Sequence, residues 1–362
     1  NKKNEFETIS LNNHGANNIY SEPSDVTRTF APHPFVPPED EMTTRCNEIF
    51  SIQVGGLATR LFHTGIKKAV IGISGGLDST LALLVMVKTF DKLGLPRENI
   101  VGITMPGFGT TGRTYNNSLN MMKSLGVTIK EVDIKPACLQ HLKDIDHDLS
   151  ILDVSYENTQ ARERTQILMD YANKIGGLVV GTGDLSELVL GWATYNGDHM
   201  SMYAVNTSIP KTLVRYMVKY AALYEMDEAA KETLLDVCDT PVSPELLPAD
   251  DKGEISQKTE DLVGPYELHD FFIYYNLRFG FSPTKIFFMA QKAFDGQYDK
   301  ATILKWMRTF YWRFFAQQFK RSCMPDGPKV GSVSLSPRGD LRMPSDACSK
   351  IWIEEVEKLA ND

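Results

Sequence analysis

Between an apolar run, Lys67–Ile73 (KKAVIGI), and an apolar stretch, Ser79–Phe90, lies Ser74-Gly75-Gly76-Leu77-Asp78-Ser79. Two consecutive glycines let backbone N–H groups approach an anion with no side chain in the way. A helix that begins near Ser79 points its positive end at the same spot. Ser74 and Ser79 add hydroxyl donors, and Asp78 offers a carboxylate to a divalent cation bridging phosphate oxygens. These residue types suit the binding of a polyphosphate. The lysine of a Walker-type loop, G-x-x-x-x-G-K-[ST], is missing. A Gly-Gly turn with an Asp or Ser helix cap is the ordinary alternative, but a strand before it and a helix after it make the pattern more particular.

The segment resembles the phosphate loop of the N-type ATP pyrophosphatases, enzymes that cleave ATP between its α and β phosphates. That resemblance implies adenylyl transfer with release of pyrophosphate, and leaves the acceptor open. It also implies that Gly72, Ile73, Ser74, Gly75, Gly76, Leu77, Asp78 and Ser79 line an ATP site.

Four further segments narrow the acceptor. They are Glu157-Asn158-Thr159-Gln160-Ala161-Arg162-Glu163-Arg164, Gly181-Thr182-Gly183-Asp184-Leu185-Ser186-Glu187, Ser208-Ile209-Pro210-Lys211-Thr212, and Gln318-Phe319-Lys320-Arg321-Ser322. In order and separation they resemble segments of the NAD synthetases. With PHPFVP (Pro32–Pro37), Leu190-Gly191-Trp192 and LSPRGD (Leu335–Asp340), the resemblance runs over most of residues 33–352 and is closest to the glutamine-dependent bacterial type.

The resemblance implies ATP-dependent amidation of nicotinate adenine dinucleotide (deamido-NAD) to NAD through an adenylated intermediate, with AMP and pyrophosphate released. It implies Mg2+ on Asp78 and Glu187, and Asp78, Glu187 and Lys211 as the catalytic set. Thr182, Lys211 and Ser243 join the ATP site. Asn158, Arg162, Glu187, Trp192, Ala193, Thr194, Tyr195, Asp198 and Lys320 hold deamido-NAD. In the glutamine-dependent family, ammonia comes from an amidase domain with a Glu-Lys-Cys triad placed before this region, and the stretch ahead of the loop here is too short to hold one. This chain is expected to act with free ammonia, as a cytoplasmic homodimer or larger homo-oligomer.

The residues themselves support parts of this. Asn158 and Arg162, four apart, share a helix face and offer an amide and a guanidinium to a dinucleotide. Without the resemblance, Arg162 reads equally as a solvated surface arginine. Thr182 lies just past a strand end. Glu187 can join Asp78, because two hard carboxylate oxygens suit Mg2+, though it also reads as a helix-surface acid. Lys211 would neutralise charge on the leaving pyrophosphate. Its alternative is a lysine in solvent, poorly placed against the dipole of a helix start. Trp192 and Tyr195 suit stacking on a nicotinate ring, or simple burial. Lys320 and Ser243 rest on the resemblance alone.

The elements that must position these groups alternate. Strands are expected at Lys67–Ile73, Ile100–Met105, Val127–Ile134 and Leu178–Gly181, with helices at Glu41–His63, Ser79–Phe90, near Asn116–Leu125 and at Glu157–Ile175. Strands separated by helices imply an α/β fold, a doubly wound parallel sheet of Rossmann-like type, with ligands at the carboxyl ends of strands. Residues 1–40 read as a linker or arm, 41–352 as the synthetase domain (core about 64–240, helical part about 241–322) and 353–362 as a tail. Residues 245–266 are polar and aperiodic, so a mobile loop or lid is expected; the aromatic stretch 267–319 reads as buried helices.

With 42% apolar and 23% charged residues the composition is that of an ordinary globular protein. A net charge of −8 counts against nucleic acid, and no run approaches the ~20 apolar residues of a membrane span. Five scattered cysteines with no C-x-x-C pair exclude a disulfide framework and a structural zinc motif. The remaining alternatives are another ATP pyrophosphatase, such as a tRNA-modifying enzyme, or a non-catalytic nucleotide-binding module.

Overall fold

The computed structural model describes residues 28–243, 246–247 and 259–361. All four expected strands form: β1 (Ala69–Gly72), β2 (Ile100–Thr104), β3 (Thr128–Glu131) and β4 (Leu178–Gly181). A two-residue fifth, β5 (Tyr203–Ala204), adds to the edge. Every pairing is parallel, and the order across the sheet is β3-β2-β1-β4-β5.

Helices cover both faces. α1 (Met42–Thr64) leads in, α2 (Leu77–Leu93) follows β1 and α3 (Gly112–Ser124) follows β2. α4 (Lys135–Asp144) and α5 (Val154–Ile175) follow β3, and α6 (Leu185–Leu190) follows β4. α7 (Lys211–Tyr224) and α8 (Glu228–Asp239) follow β5. Side chains alternate across the pleat, so one residue set faces each layer. Ala69, Ile71, Ile100, Leu178 and Val180 enter the core with Leu57 of α1, Leu81 of α2 and Val214 of α7. Val70, Val101, Ile103 and Val179 pack instead on Cys138 of α4 and Ala172 of α5. α2 is buried nearly all round because the sheet lies on one side of it and α1 and α7 on the other.

The chain winds outward from β1 to β3, then crosses back to lay β4 on the other side of β1. That reversal opens a crevice between the carboxyl ends of β1 and β4. It sets the Ser74–Ser79 turn beside the Thr182–Glu187 turn.

A second core is helical: α9 (Thr259–Val263), α10 (Tyr266–Phe279), α11 (Pro283–Ala293), α12 (Lys300–Ala316), α13 (Gln318–Arg321) and α14 (Lys350–Asn361). Phe271, Phe272, Phe294, Phe310 and Tyr311 fill it, joined by Leu185, Val189 and Leu190 of α6. α6 therefore belongs to both layers.

Three expectations are corrected. The tail boundary at 352 falls inside α14, whose Trp352 packs on Phe315 at 4.6 Å and whose Val356 is buried. Of the expected loop 245–266, Thr259–Val263 is helical and Tyr266 starts α10, while 245 and 248–258 lie outside the described residues. Of the expected arm, residues 1–27 lie outside the described residues; the remainder docks, with Phe35 on Tyr274 at 5.0 Å and His33 Nε2 2.7 Å from Glu267 Oε2. Among the described residues no helix is long and apolar enough to cross a membrane.

His269 of α10 gives the second core an acid weakness. It is fully buried, with Nε2 donating to the Val263 carbonyl at 2.7 Å between Phe272 and Phe310. Burial pushes its pKa from the ordinary 6.5 down to about 4. The unfolded chain takes up a proton as pH falls through 6.5, while the folded chain resists until about 4. Its contribution is thus complete above 6.5 and lost on acidification, up to about 3 kcal/mol at about 1.4 per pKa unit. His269→Gln keeps a donor for Val263 but does not titrate. Urea unfolding from pH 7 to 4 is expected to show a shallower loss of stability for the variant than for the parent.

Candidate active site

The turn after β1 is built around Gly75. Its φ is +82°, and an added Cβ would stand 2.1 Å from the Thr114 carbonyl oxygen, so only glycine fits. Gly76 is the N-cap of α2 and has no side chain to cap it. The first N–H groups of a 17-residue helix therefore face the crevice, where an anion can take them. Ser74 Oγ accepts from Gly76 N at 3.2 Å and lies 3.2 Å from Ser79 Oγ. The hydroxyls expected as ligand donors thus also brace the turn. Asn206, fully buried, donates through Nδ2 to the carbonyls of Asp78 (3.0 Å) and Thr182 (3.1 Å), joining the two strand-end turns. Gln53 of α1 holds Asn206 Oδ1 at 3.1 Å.

Beneath the turn lies a lysine surrounded by acids. Lys211 Nζ is 2.6 Å from Asp78 Oδ2, 2.9 Å from Asp184 Oδ2 and 3.0 Å from Glu187 Oε1. The Tyr266 ring lies 5.2 Å from the same ammonium. Burial would push the lysine pKa down, but Asp184, Asp78 and Glu187 together hold it well above its ordinary value. Burial lifts Glu187 to about 7, against the pull of Lys211, and holds Asp184 well above the carboxylate range.

Asp184 is the residue that the sequence reading did not single out. Its Oδ1 accepts from Glu187 N at 2.7 Å as the N-cap of α6. An aspartate three residues before a glutamate at a strand end reads as a helix cap, and it is one. Its second oxygen is what turns it toward Lys211. Carboxylate oxygens of Asp78, Asp184 and Glu187 lie within 4.8 Å of one another. Asp78 Oδ1 is buried with no hydrogen-bond partner among the described residues, while Asp184 Oδ2 meets only the Lys211 ammonium. Hard oxygen donors with open lone pairs at this spacing fit a divalent cation such as Mg2+.

Above the cluster is a cavity of about 820 Å3. Most of the expected ligand residues line it: Gly72, Ile73, Ser74, Gly76, Leu77, Asp78, Ser79, Thr182, Glu187 and Ser243 at one end. Asn158, Arg162, Trp192, Ala193, Thr194, Tyr195, Asp198 and Lys320 line the rest. Gly75 and Lys211 do not reach its surface. Lys211 is 4% exposed, sealed by its three carboxylates, so its direct partner here is the acid cluster and not the cavity.

The outer subsite is held by short bonds. Asn158 Oδ1 accepts from Thr194 Oγ1 at 2.7 Å, and Asp198 Oδ1 accepts from Thr194 N at 2.8 Å. Arg162 Nε donates to the Tyr195 carbonyl at 3.3 Å. Lys320 Nζ donates to the carbonyls of Gly191 (2.8 Å) and Ala193 (2.7 Å), capping the end of α6. Burial, then Arg313, brings the Lys320 pKa down to about 8. One face of Trp192 carries the Arg313 guanidinium at 5.2 Å, and Tyr195 packs on His199 and Phe319 at 5.2 and 5.3 Å.

Comparison with known proteins gives a consistent picture. The family model described as NAD synthase matches residues 50–228. A glutamine-dependent NAD(+) synthetase of Mycobacterium leprae is 43% identical over 350 residues, covering 90% of this chain and 51% of that protein. One of Thermotoga maritima is 30% identical, covering 86% of this chain and 49% of its own length. The chain spans about half the length of the curated relatives it matches. The solved glutamine-dependent NAD(+) synthetase of Cytophaga hutchinsonii superposes with a TM-score of 0.70 over 87% of this chain and 56% of its own. At 17% identity that likeness shows the fold alone.

Gly75→Ala tests the turn. A methyl against the Thr114 carbonyl at positive φ must push the turn or α3 aside. Calorimetric titration with ATP is expected to show affinity reduced at least ~10-fold, beyond the ~1–2 kcal/mol cost in stability. Unchanged affinity would remove the turn from the phosphate site.

Proposed function

This chain belongs to the NAD synthase family, and from that premise we propose that it forms the amide of NAD from deamido-NAD, ATP and ammonia. The observation that carries the reading is the acid cluster of Asp78, Asp184 and Glu187 around Lys211, set where the two strand-end turns meet below one long cavity.

ATP binds with its phosphates at the Ser74–Ser79 turn, against the open N–H groups of α2. Deamido-NAD occupies the Asn158, Arg162 and Thr194 side. A nicotinate carboxylate oxygen attacks the α-phosphorus of ATP; the bond from that phosphorus to the bridging oxygen breaks, and pyrophosphate leaves. Ammonia then adds to the activated carbonyl, loses a proton and expels AMP. Asp78, Asp184 and Glu187 would hold Mg2+, which when bound neutralises phosphate charge. The chain's own part is to orient and to balance charge: Lys211 keeps three carboxylates together and Arg162 offers a guanidinium at the outer subsite.

Three of the five thiols are poor candidates for a glutamine-cleaving nucleophile. Burial pushes Cys46 up to about 12 and Cys138 and Cys238 to about 11, leaving little thiolate for attack on glutamine. A homodimer fits the exposed apolar run Leu149, Ile151, Leu152 and Val154, since Val154 also lines the cavity; sedimentation equilibrium measures this.

The direct test is NAD formation from deamido-NAD, ATP, Mg2+ and ammonium, with glutamine substituted for ammonium in a parallel reaction. We expect turnover with ammonium and none with glutamine, rising with pH as ammonia replaces ammonium. No turnover with ammonium sinks the assignment. In the same assay Asp184→Asn, which keeps the helix cap but removes a charge, is expected to raise the Mg2+ needed for half-maximal rate about tenfold.

A further inference from the structure

We infer that Asp270, on α10 and outside the cavity, is a positioning residue that fixes Lys211 in the acid cluster through Ser186 and Thr212. The inference rests on the function proposed above only for its kinetic readout.

The starting point is the beginning of α7. The first N–H groups of a helix need acceptors from outside it, and the N-cap here is Pro210, which has none to offer. The acceptors come from two other helices. Lys211 N donates to Ser186 Oγ at 2.9 Å, and Thr212 N donates to Asp270 Oδ2 at 2.9 Å. Thr212 Oγ1 donates to the same Oδ2 at 2.7 Å, and Ser186 Oγ donates to Asp270 Oδ1. One carboxylate thus takes one N–H and two O–H donors. An acceptor-only group can do this; an amide or a hydroxyl at the same place would present a proton to one of them.

The direction of the Ser186 hydroxyl follows. With its proton committed to Asp270, its lone pairs are left for Lys211 N. Ser186 stands between Asp184 and Glu187 in the chain, so the same bond also fixes the helix that carries two of the three acids. Asp270 is fully buried, which is unfavourable for a carboxylate unless it is fully hydrogen-bonded. It also places negative charge at the end of α7 where a lysine is otherwise at odds with the helix dipole.

A second residue of α10 holds the other end of Lys211. Tyr266, four residues before Asp270 and so on the same helix face, puts its ring 5.2 Å from Nζ. Its hydroxyl is buried with no hydrogen-bond partner among the described residues, and the ring face is what it turns to this site. The helical layer therefore grips Lys211 by its backbone through Asp270 and by its ammonium through Tyr266. Docking of that layer and alignment of the acid cluster are one event.

The test is Asp270→Asn. The amide oxygen can still receive both Thr212 donors, but the NH2 group must point at Ser186 and competes with Lys211 N. We expect kcat for NAD formation to fall at least tenfold, with KM for ATP and deamido-NAD changed by less than about twofold. Ser186→Ala should lower kcat similarly, and the double variant should fall no further, because both cut one path. A crystal structure of Asp270→Asn should show Nζ beyond about 4 Å from at least one of its three carboxylates. Unchanged kcat per folded molecule, a multiplicative double variant, or an unmoved Nζ each overturns the inference. If Asp270→Asn does not fold, Ser186→Ala decides by the same kinetic split and Nζ position. A parent chain that makes no NAD would refute the proposed function, while the crystal structure still decides the role of Asp270.

Discussion

A lysine with 4% of its surface exposed stays charged in this protein because three carboxylates from two strand-end turns converge on its ammonium. At an effective dielectric of about 20, each contact near 3 Å contributes roughly 5–6 kcal/mol of attraction, against which the desolvation of the lysine must be set. The cluster exists only if β1 and β4 lie side by side, if Asp184 caps α6 with one oxygen and aims the other inward, and if α7 begins where it does. The strand order β3-β2-β1-β4-β5, with its reversal at β1, meets the first of these conditions.

The helical layer is bound to the same requirement. Leu185, Val189 and Leu190 enter its core while Asp184 and Glu187 on the same short helix face Lys211. α6 has six residues, too few to hold its own direction in water. Its aim is set by what it packs against. Arg321, almost wholly buried, donates to the Leu188 and Val189 carbonyls at 3.1 and 2.8 Å, and Lys320 takes the carbonyl of Gly191. The QFKR segment thus holds the end of the helix whose start carries the acids.

Much of this was legible in the residues. The Ser74–Ser79 turn announced itself by composition and by its place between a β-branched run and an apolar helix. The strands and the long helices followed from periodicity. What escaped notice had local explanations that were true but incomplete. Asp184 reads as a helix cap and is one; only the fold shows its other oxygen. Asp270 lies in an aromatic stretch that reads as core, and Tyr266 closes a polar segment that reads as a loop; both are buried. β5 is two residues long and carries no period at all. Asn206 sits in a turn-like run, and its ties to Asp78 and Thr182 cross 128 and 24 positions of sequence. Long-range pairing of this kind leaves no trace in spacing.

Charge at the site sets the last constraint. Three carboxylates within 4.8 Å of one another repel by roughly 3–4 kcal/mol per pair on the same scale, and one lysine leaves the group with a net negative charge when all are ionised. Burial, with the neighbouring carboxylates adding to it, lifts Glu187 to about 7 and Asp184 well above the carboxylate range. Yet the open helix end just above favours an anion, and the proposed substrates are both polyanions. A site that is negative below and anion-seeking above is contradictory unless positive charge enters between the two. Asp78 Oδ1, buried with no hydrogen-bond partner among the described residues, lies where such a charge would be accepted. Lys211, closed off from the cavity, holds the three acids together at a spacing they would not keep alone, which is the spacing a shared divalent cation would need.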